Sequence, residues 1–153
     1  MKRLVFLFSV MCAIAISASA QRLTGSADAW LKFQREQCVF RLTAYGLYED
    51  GIEKNRIVPQ GKNANEGIGF DNADHFYQLN TLDGSFIYDC RINGQYLYLT
   101  NQKRVLNGQQ VGFDPQYYNW IKLLWYENHN GKFILFTVDS MNTYRYFEYV
   151  IAL

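Results

Sequence analysis

Five Asx-Gly dipeptides punctuate the chain, at Asp50-Gly51, Asp83-Gly84, Asn93-Gly94, Asn107-Gly108 and Asn130-Gly131. Asn and Asp tolerate a positive φ and Gly adopts it freely, so each dipeptide suits the tight primed turn whose twist matches that of antiparallel strands. Between them lie short runs rich in Tyr, Phe, Ile, Val and Leu. This punctuation predicts a mostly β fold: an antiparallel meander of about eight strands forming a small barrel or a two-sheet sandwich, with one or two short helical segments.

The clearest hairpin runs from Phe86 to Thr100 around Asn93-Gly94. A two-residue loop at that dipeptide sets Cys90 opposite Leu97 and Tyr88 opposite Leu99, with Arg91 facing Tyr96 and Asp89 facing Tyr98 on the other side. Alternation in the earlier strand groups Cys38 with Phe40, Leu42 and Ala44. Both cysteines thus fall on apolar faces, and a Cys38–Cys90 disulfide is expected in an oxidising compartment. A second hairpin, Trp120–Tyr126 with Phe133–Val138, places Ile121, Leu123 and Trp125 on one face and Trp120, Lys122, Leu124 and Tyr126 on the other. Both faces are apolar, the mark of a strand covered on two sides or of a barrel wall. Helical signals fall at Ser26–Gln37 and at Asp114–Tyr118, where Asp is a natural N-cap and Pro suits the first helical position. The stretch Pro59–Asp74, with Gly61, Gly67 and Gly69, reads as the most mobile loop.

The amino terminus carries a different message. Lys2 and Arg3 precede an apolar run from Leu4 to Ile16, and Ser17-Ala18-Ser19-Ala20 supplies a small-x-small cleavage site. This pattern predicts a cleaved signal peptide over 1–20 and one secreted or periplasmic domain over 21–153, with no membrane anchor after cleavage. Met11 before Cys12 disfavours lipidation at that cysteine. Removing Lys2 and Arg3 from fifteen basic residues leaves thirteen against fourteen acidic ones. A near-neutral chain without a basic patch argues against nucleic acid or anionic lipid as a partner.

Signals for chemistry are sparse. His75 stands in Asp71-Asn72-Ala73-Asp74-His75, which has too few oxygen ligands for a calcium loop and no second histidine for zinc, so no metal and no cofactor are expected. His129 falls in the hairpin turn Asn128-His129-Asn130-Gly131 and reads as a solvated loop residue. Ser26, Ser85 and Ser140 lie in no nucleophile motif, and no phosphate-binding glycine pattern is complete, so no catalytic residue is assigned. What remains is aromatic. Alternation puts Tyr96, Tyr98, Trp120, Tyr126, Tyr144 and Tyr146 away from the cysteine-bearing face, and a Tyr/Trp surface suits an apolar small molecule, a glycan or a protein. The leading expectation is therefore a non-catalytic binding module using those six residues. An inhibitor of a foreign hydrolase acting through the 59–74 loop is the alternative, and a small carboxylate-dependent hydrolase the third. No family motif is recognised in these residues.

Overall fold

A computed structural model describes residues 21–24, 29–36, 38–71 and 74–152. The expected signal peptide lies outside them. Ten strands form one antiparallel sheet: β1 (Gln21–Thr24), β2 (Phe40–Glu49), β3 (Ile52–Ile57), β4 (Gly67–Phe70), β5 (His75–Thr81), β6 (Gly84–Asn93), β7 (Tyr96–Leu106), β8 (Gln109–His129), β9 (Lys132–Asp139) and β10 (Tyr144–Ile151). From β4 each strand pairs with the next through to β10, β10 pairs with β2, and β2 pairs with β4. Eight strands thereby close a ring and leave no open edge along its wall. β3 is a hairpin partner of β2 outside the ring, and β1 pairs with the end of β8.

The single α-helix described, α1 (Ala29–Glu36), lies across one end of the ring. Its buried stripe of Ala29, Trp30 and Phe33 enters the core, with the Phe33 ring edge-on to Phe40, Tyr126 and Phe133 at 5.3 to 5.6 Å. Trp30 Nε1 donates to the Gln95 carbonyl at 2.7 Å, fastening the helix to the β6–β7 turn. Gln95 is itself tied to β8, accepting from the Leu123 amide and donating through Nε2 to the Leu123 carbonyl. Below the ring centre the interior is filled by Phe40, Leu42, Leu97, Leu123 and Leu135, each at most 4% exposed.

Several expectations change at the level of register. The β6–β7 loop is Gly94-Gln95, not Asn93-Gly94, with Gly94 at φ +60° and Asn93 paired to Tyr96. Cys90 therefore sits opposite Leu99 and Arg91 opposite Tyr98. A two-residue slip preserves the faces, so the predicted sides survive the wrong partners. In β8–β9 the faces do change. A bulge between Leu123 and Trp125 turns Tyr126 inward beside Leu135 and leaves Trp125 outward against Phe136, so Leu123 and Trp125 do not share a face.

Asp114–Tyr118 is extended, not helical. Asp114 Oδ1 accepts from the Gln116 amide at 3.0 Å, a local cap without a helix behind it. Pro115 falls where the ladder jumps from Asp114↔Gln102 to Tyr118↔Thr100, so its missing N–H breaks no rung. The 59–74 segment is not one loop either. It contains a 3-10 turn at Gly61–Asn63 and then β4, whose four residues are all buried in the wall.

Cys38 and Cys90 are free thiols. Cys38 lies just before β2 and Cys90 in β6, with β4 and β5 between those two strands, so the cysteines do not sit on neighbouring strands. Alternation placed both on apolar faces correctly but said nothing about how many strands separate them.

Candidate functional site

Closing eight strands around side chains of mixed size leaves a cavity of about 240 Å³ in the ring. Seven of the eight ring strands, all but β2, contribute lining residues, and Trp30 of α1 forms part of the floor. The lower wall is apolar, with Ile68, Leu99, Ile121, Leu135 and Phe147. Inward alternation along β8, β9 and β10 then carries Asn119, Thr137, Asp139 and Arg145 upward to the end opposite the helix. The result is a pocket with a dry base and a polar mouth, the usual form of a small-molecule site.

A layer of hydrogen bonds fixes the upper wall. Gln102 Nε2 donates to Tyr88 Oη at 3.1 Å, Tyr88 donates to Gln78 Oε1 at 3.4 Å, and the Tyr88 and Tyr117 rings lie 5.2 Å apart. Burial pushes the Tyr88 phenol up to about 12, so it stays a neutral donor. Tyr149, deeper in the cavity, is also raised, by burial and then by the Glu66 carboxylate. Asn119 Oδ1 accepts from the Trp120 amide at 2.9 Å and from the Ser140 hydroxyl. Asp139 Oδ1 accepts from the Met141 and Thr143 amides, both at 3.0 Å, and so closes the β9–β10 turn. Arg145 is exposed at the mouth and has no hydrogen-bond or ion-pair partner among the described residues.

None of the six aromatic residues singled out in the sequence lines this cavity. Tyr96, Tyr98 and Trp120 do come together, on the outer wall of β7 and β8: Tyr96 stacks on Tyr98 at 5.9 Å and meets Trp120 edge-on at 5.4 Å. Tyr118, 62% exposed, extends the stack, while Arg91 and Lys122 lie over the Tyr98 and Tyr96 rings. Tyr126 is elsewhere, 1% exposed beneath α1, and Tyr146, equally buried, packs against Phe136 on the outer side of β9 and β10. Tyr144 is exposed at the start of β10, apart from the outer-wall stack. The sequence-level argument found three members of one patch and missed the lumen, whose lining is spread over seven strands and has no local signature.

The histidines occupy different settings. His129 ends β8 beside the Asn130-Gly131 turn. His75 lies on the outer wall, Nδ1 2.9 Å from Asp71 and Nε2 3.5 Å from Asp89, while the Tyr77 hydroxyl donates to Asp71 at 2.6 Å and is pushed up to about 12 mainly by that bond. Among the described residues no group of three or more His, Cys, Asp and Glu side chains is placed to hold a metal ion. No family model, curated protein or solved structure matches the chain.

Proposed function

We propose that this protein is a non-catalytic binding module that takes up a small, largely apolar ligand in the lumen of its barrel. The observation that carries the reading is the cavity itself, lined by seven ring strands, closed by Trp30 and open where the polar residues gather. An apolar cavity of about 150 Å³ accommodates benzene, so 240 Å³ with an open mouth suits roughly ten non-hydrogen atoms. At about 0.6 kcal/mol per atom such a ligand binds near −6 kcal/mol, a Kd of tens of micromolar. Asp139 is the one acid among the lining residues, whereas two-carboxylate hydrolysis needs a second. Export to the periplasm or beyond, expected from residues 1–20, would set the protein to capture such molecules outside the cytoplasm.

The test is a calorimetric or ligand-observed NMR screen of compounds of eight to fourteen non-hydrogen atoms against the parent and Ile121→Phe. Filling the lumen is expected to abolish binding while circular dichroism stays unchanged. Hits unaffected by Ile121→Phe but lost in Tyr96→Ala/Tyr98→Ala refute the lumen and move the site outside. That second reading, a glycan or protein contact, is supported by the stacked Tyr96, Tyr98 and Tyr118 rings and their flanking cations.

A further inference from the structure

The mouth of the cavity carries a cation without a partner. Asn119 Oδ1 accepts from the Trp120 amide and Ser140, Gln78 Oε1 from Tyr88, and Asp139 Oδ1 from two backbone amides. Asn119 Nδ2 is engaged as well, donating to the Tyr117 hydroxyl. Arg145, by contrast, presents a whole guanidinium without a hydrogen-bond or ion-pair partner among the described residues.

Charge points the same way. Asp139 and Arg145 both line the cavity but form no ion pair, although their strands are adjacent. Two backbone amides already donate to Asp139 Oδ1, while Arg145 has no hydrogen-bond or ion-pair partner among the described residues. A guanidinium is always charged and presents a planar fork of donors that matches a carboxylate in two parallel bonds. Ile68, Leu99, Ile121, Leu135 and Phe147 supply apolar wall to the same cavity, with Trp30 in its floor.

We infer that the lumen ligand is a monoanion, a compact apolar or aromatic body that ends in a carboxylate, held tail-down with its carboxylate on Arg145. This inference rests on the lumen reading above and adds to it the charge and orientation of the ligand. A neutral ligand would leave the guanidinium unpaired, and a cation would face it directly.

Three probes of nearly equal size and differing charge test it: 3-phenylpropionate, 3-phenylpropan-1-ol and 3-phenylpropylamine, titrated calorimetrically at pH 7 into the parent, Arg145→Gln and Ile121→Phe. The acid is expected to bind at least tenfold tighter than the alcohol, and the amine weakest. Arg145→Gln should bring the acid to within threefold of the alcohol, with a much smaller change in the alcohol than in the acid. Because Arg145 is exposed, this variant is expected to retain the parent Tm, and Arg145→Lys, which keeps the charge but not the fork, should fall between. Equal affinity for the three probes, abolished by Ile121→Phe, keeps the lumen and overturns the anion. Acid preference that survives Arg145→Gln overturns Arg145 as its source. If no probe binds, or Ile121→Phe binds all of them as the parent does, the lumen reading falls and the inference falls with it.

Discussion

Removing Trp30 tests the barrel and its cavity together. The side chain is 3% exposed, donates to the Gln95 carbonyl at 2.7 Å, lies 6.5 Å from the Phe70 ring and forms part of the cavity floor. Burying about 200 Å² of indole at about 25 cal/mol per Å² is worth roughly 5 kcal/mol, an upper bound because denatured chains already bury some apolar area. One side of the ring borders empty space, so part of the usual packing is missing already. Trp30→Ala is therefore expected to cost about 3 to 4 kcal/mol, lowering Tm by roughly 12 to 16 °C for a domain of this size. Trp30→Phe keeps most of the area and loses the N–H donor. Since Gln95 O still accepts from the Leu123 amide, that variant should cost only about 1 kcal/mol. Urea unfolding followed by circular dichroism, together with differential scanning calorimetry, separates the two. The alanine variant should also accept larger probes than the parent, because its floor is lower. A loss below about 1 kcal/mol for Trp30→Ala would refute the claim that α1 closes the barrel.

Three further outcomes follow from local geometry. A Cβ on Gly46 would stand 2.6 Å from the Lys54 carbonyl and 2.8 Å from Tyr146 Cε1, so Gly46→Ala should cost about 1 to 3 kcal/mol and shift amide resonances in β2, β3 and β10; an unchanged spectrum would contradict that close packing. The Glu148 carboxylate, 8% exposed, lies 2.8 Å from Arg56 Nη1 and 3.3 Å from Lys132 Nζ, both half-exposed; Glu148→Gln is expected to cost about 1 to 2 kcal/mol, and a double-mutant cycle with Arg56→Gln should give less than the sum of the two single losses. Denatured, unreduced protein spanning residues 21–153 should take up two thiol labels, and a disulfide-linked pair taking up none would restore the bridge.

Cys90 adds a dependence on pH that can be worked through in sign. Burial, followed by the Asp74, Asp71 and Asp89 carboxylates, pushes its thiol up to about 12 from an ordinary 9.0. The native state therefore keeps a proton that the unfolded chain releases. Stability from this group is full below about pH 9 and is lost as pH rises towards 12, with a limiting slope of about 1.4 kcal/mol per pH unit. Tyr88, pushed up to about 12, acts in the same direction above about pH 10. Cys90→Ala should flatten the fall of unfolding free energy between pH 9 and pH 11; an unaltered slope would mean that the thiol is not held in its protonated form.

How much of this fold could be read in advance depends on how local each determinant is. Asp50-Gly51, Asn107-Gly108 and Asn130-Gly131 all adopt positive φ at both residues, as their own side chains favour. The same chemistry marks the bulges, but there it was read less well. Asn55, Asn80 and Asn101 each take a positive φ inside or beside a strand, and each sits where a register shifts: Asn55 opposite Gly46, Asn80 between β5 and β6, and Asn101 on both edges of β7. An isolated Asn inside a β run is thus a bulge signal even without a following Gly. The bulge at Leu124 has no such residue, and it alone decides that Tyr126 faces in and Trp125 faces out.

The site was hidden for a related reason. Outward aromatic residues on one hairpin are neighbours two apart in sequence, so Tyr96, Tyr98 and Trp120 declare themselves as a group, while Tyr118 was hidden by the helical reading of Asp114–Tyr118. A lumen exists only once the ring closes, and its closure rests on β10 pairing with β2, strands separated by most of the chain. Arg145 illustrates the point. Alternation that turns Tyr144 and Tyr146 away from the cysteine-bearing face leaves Arg145 on that face, but nothing in the sequence says that the face encloses a lumen. The pairing Arg145↔Thr137 keeps it on the inward face with Phe147 and Tyr149, and the closed ring makes that face the polar end of the cavity. What turns this inward charge into a cavity-lining one is the closure of the ring, set by tertiary pairing and not by composition.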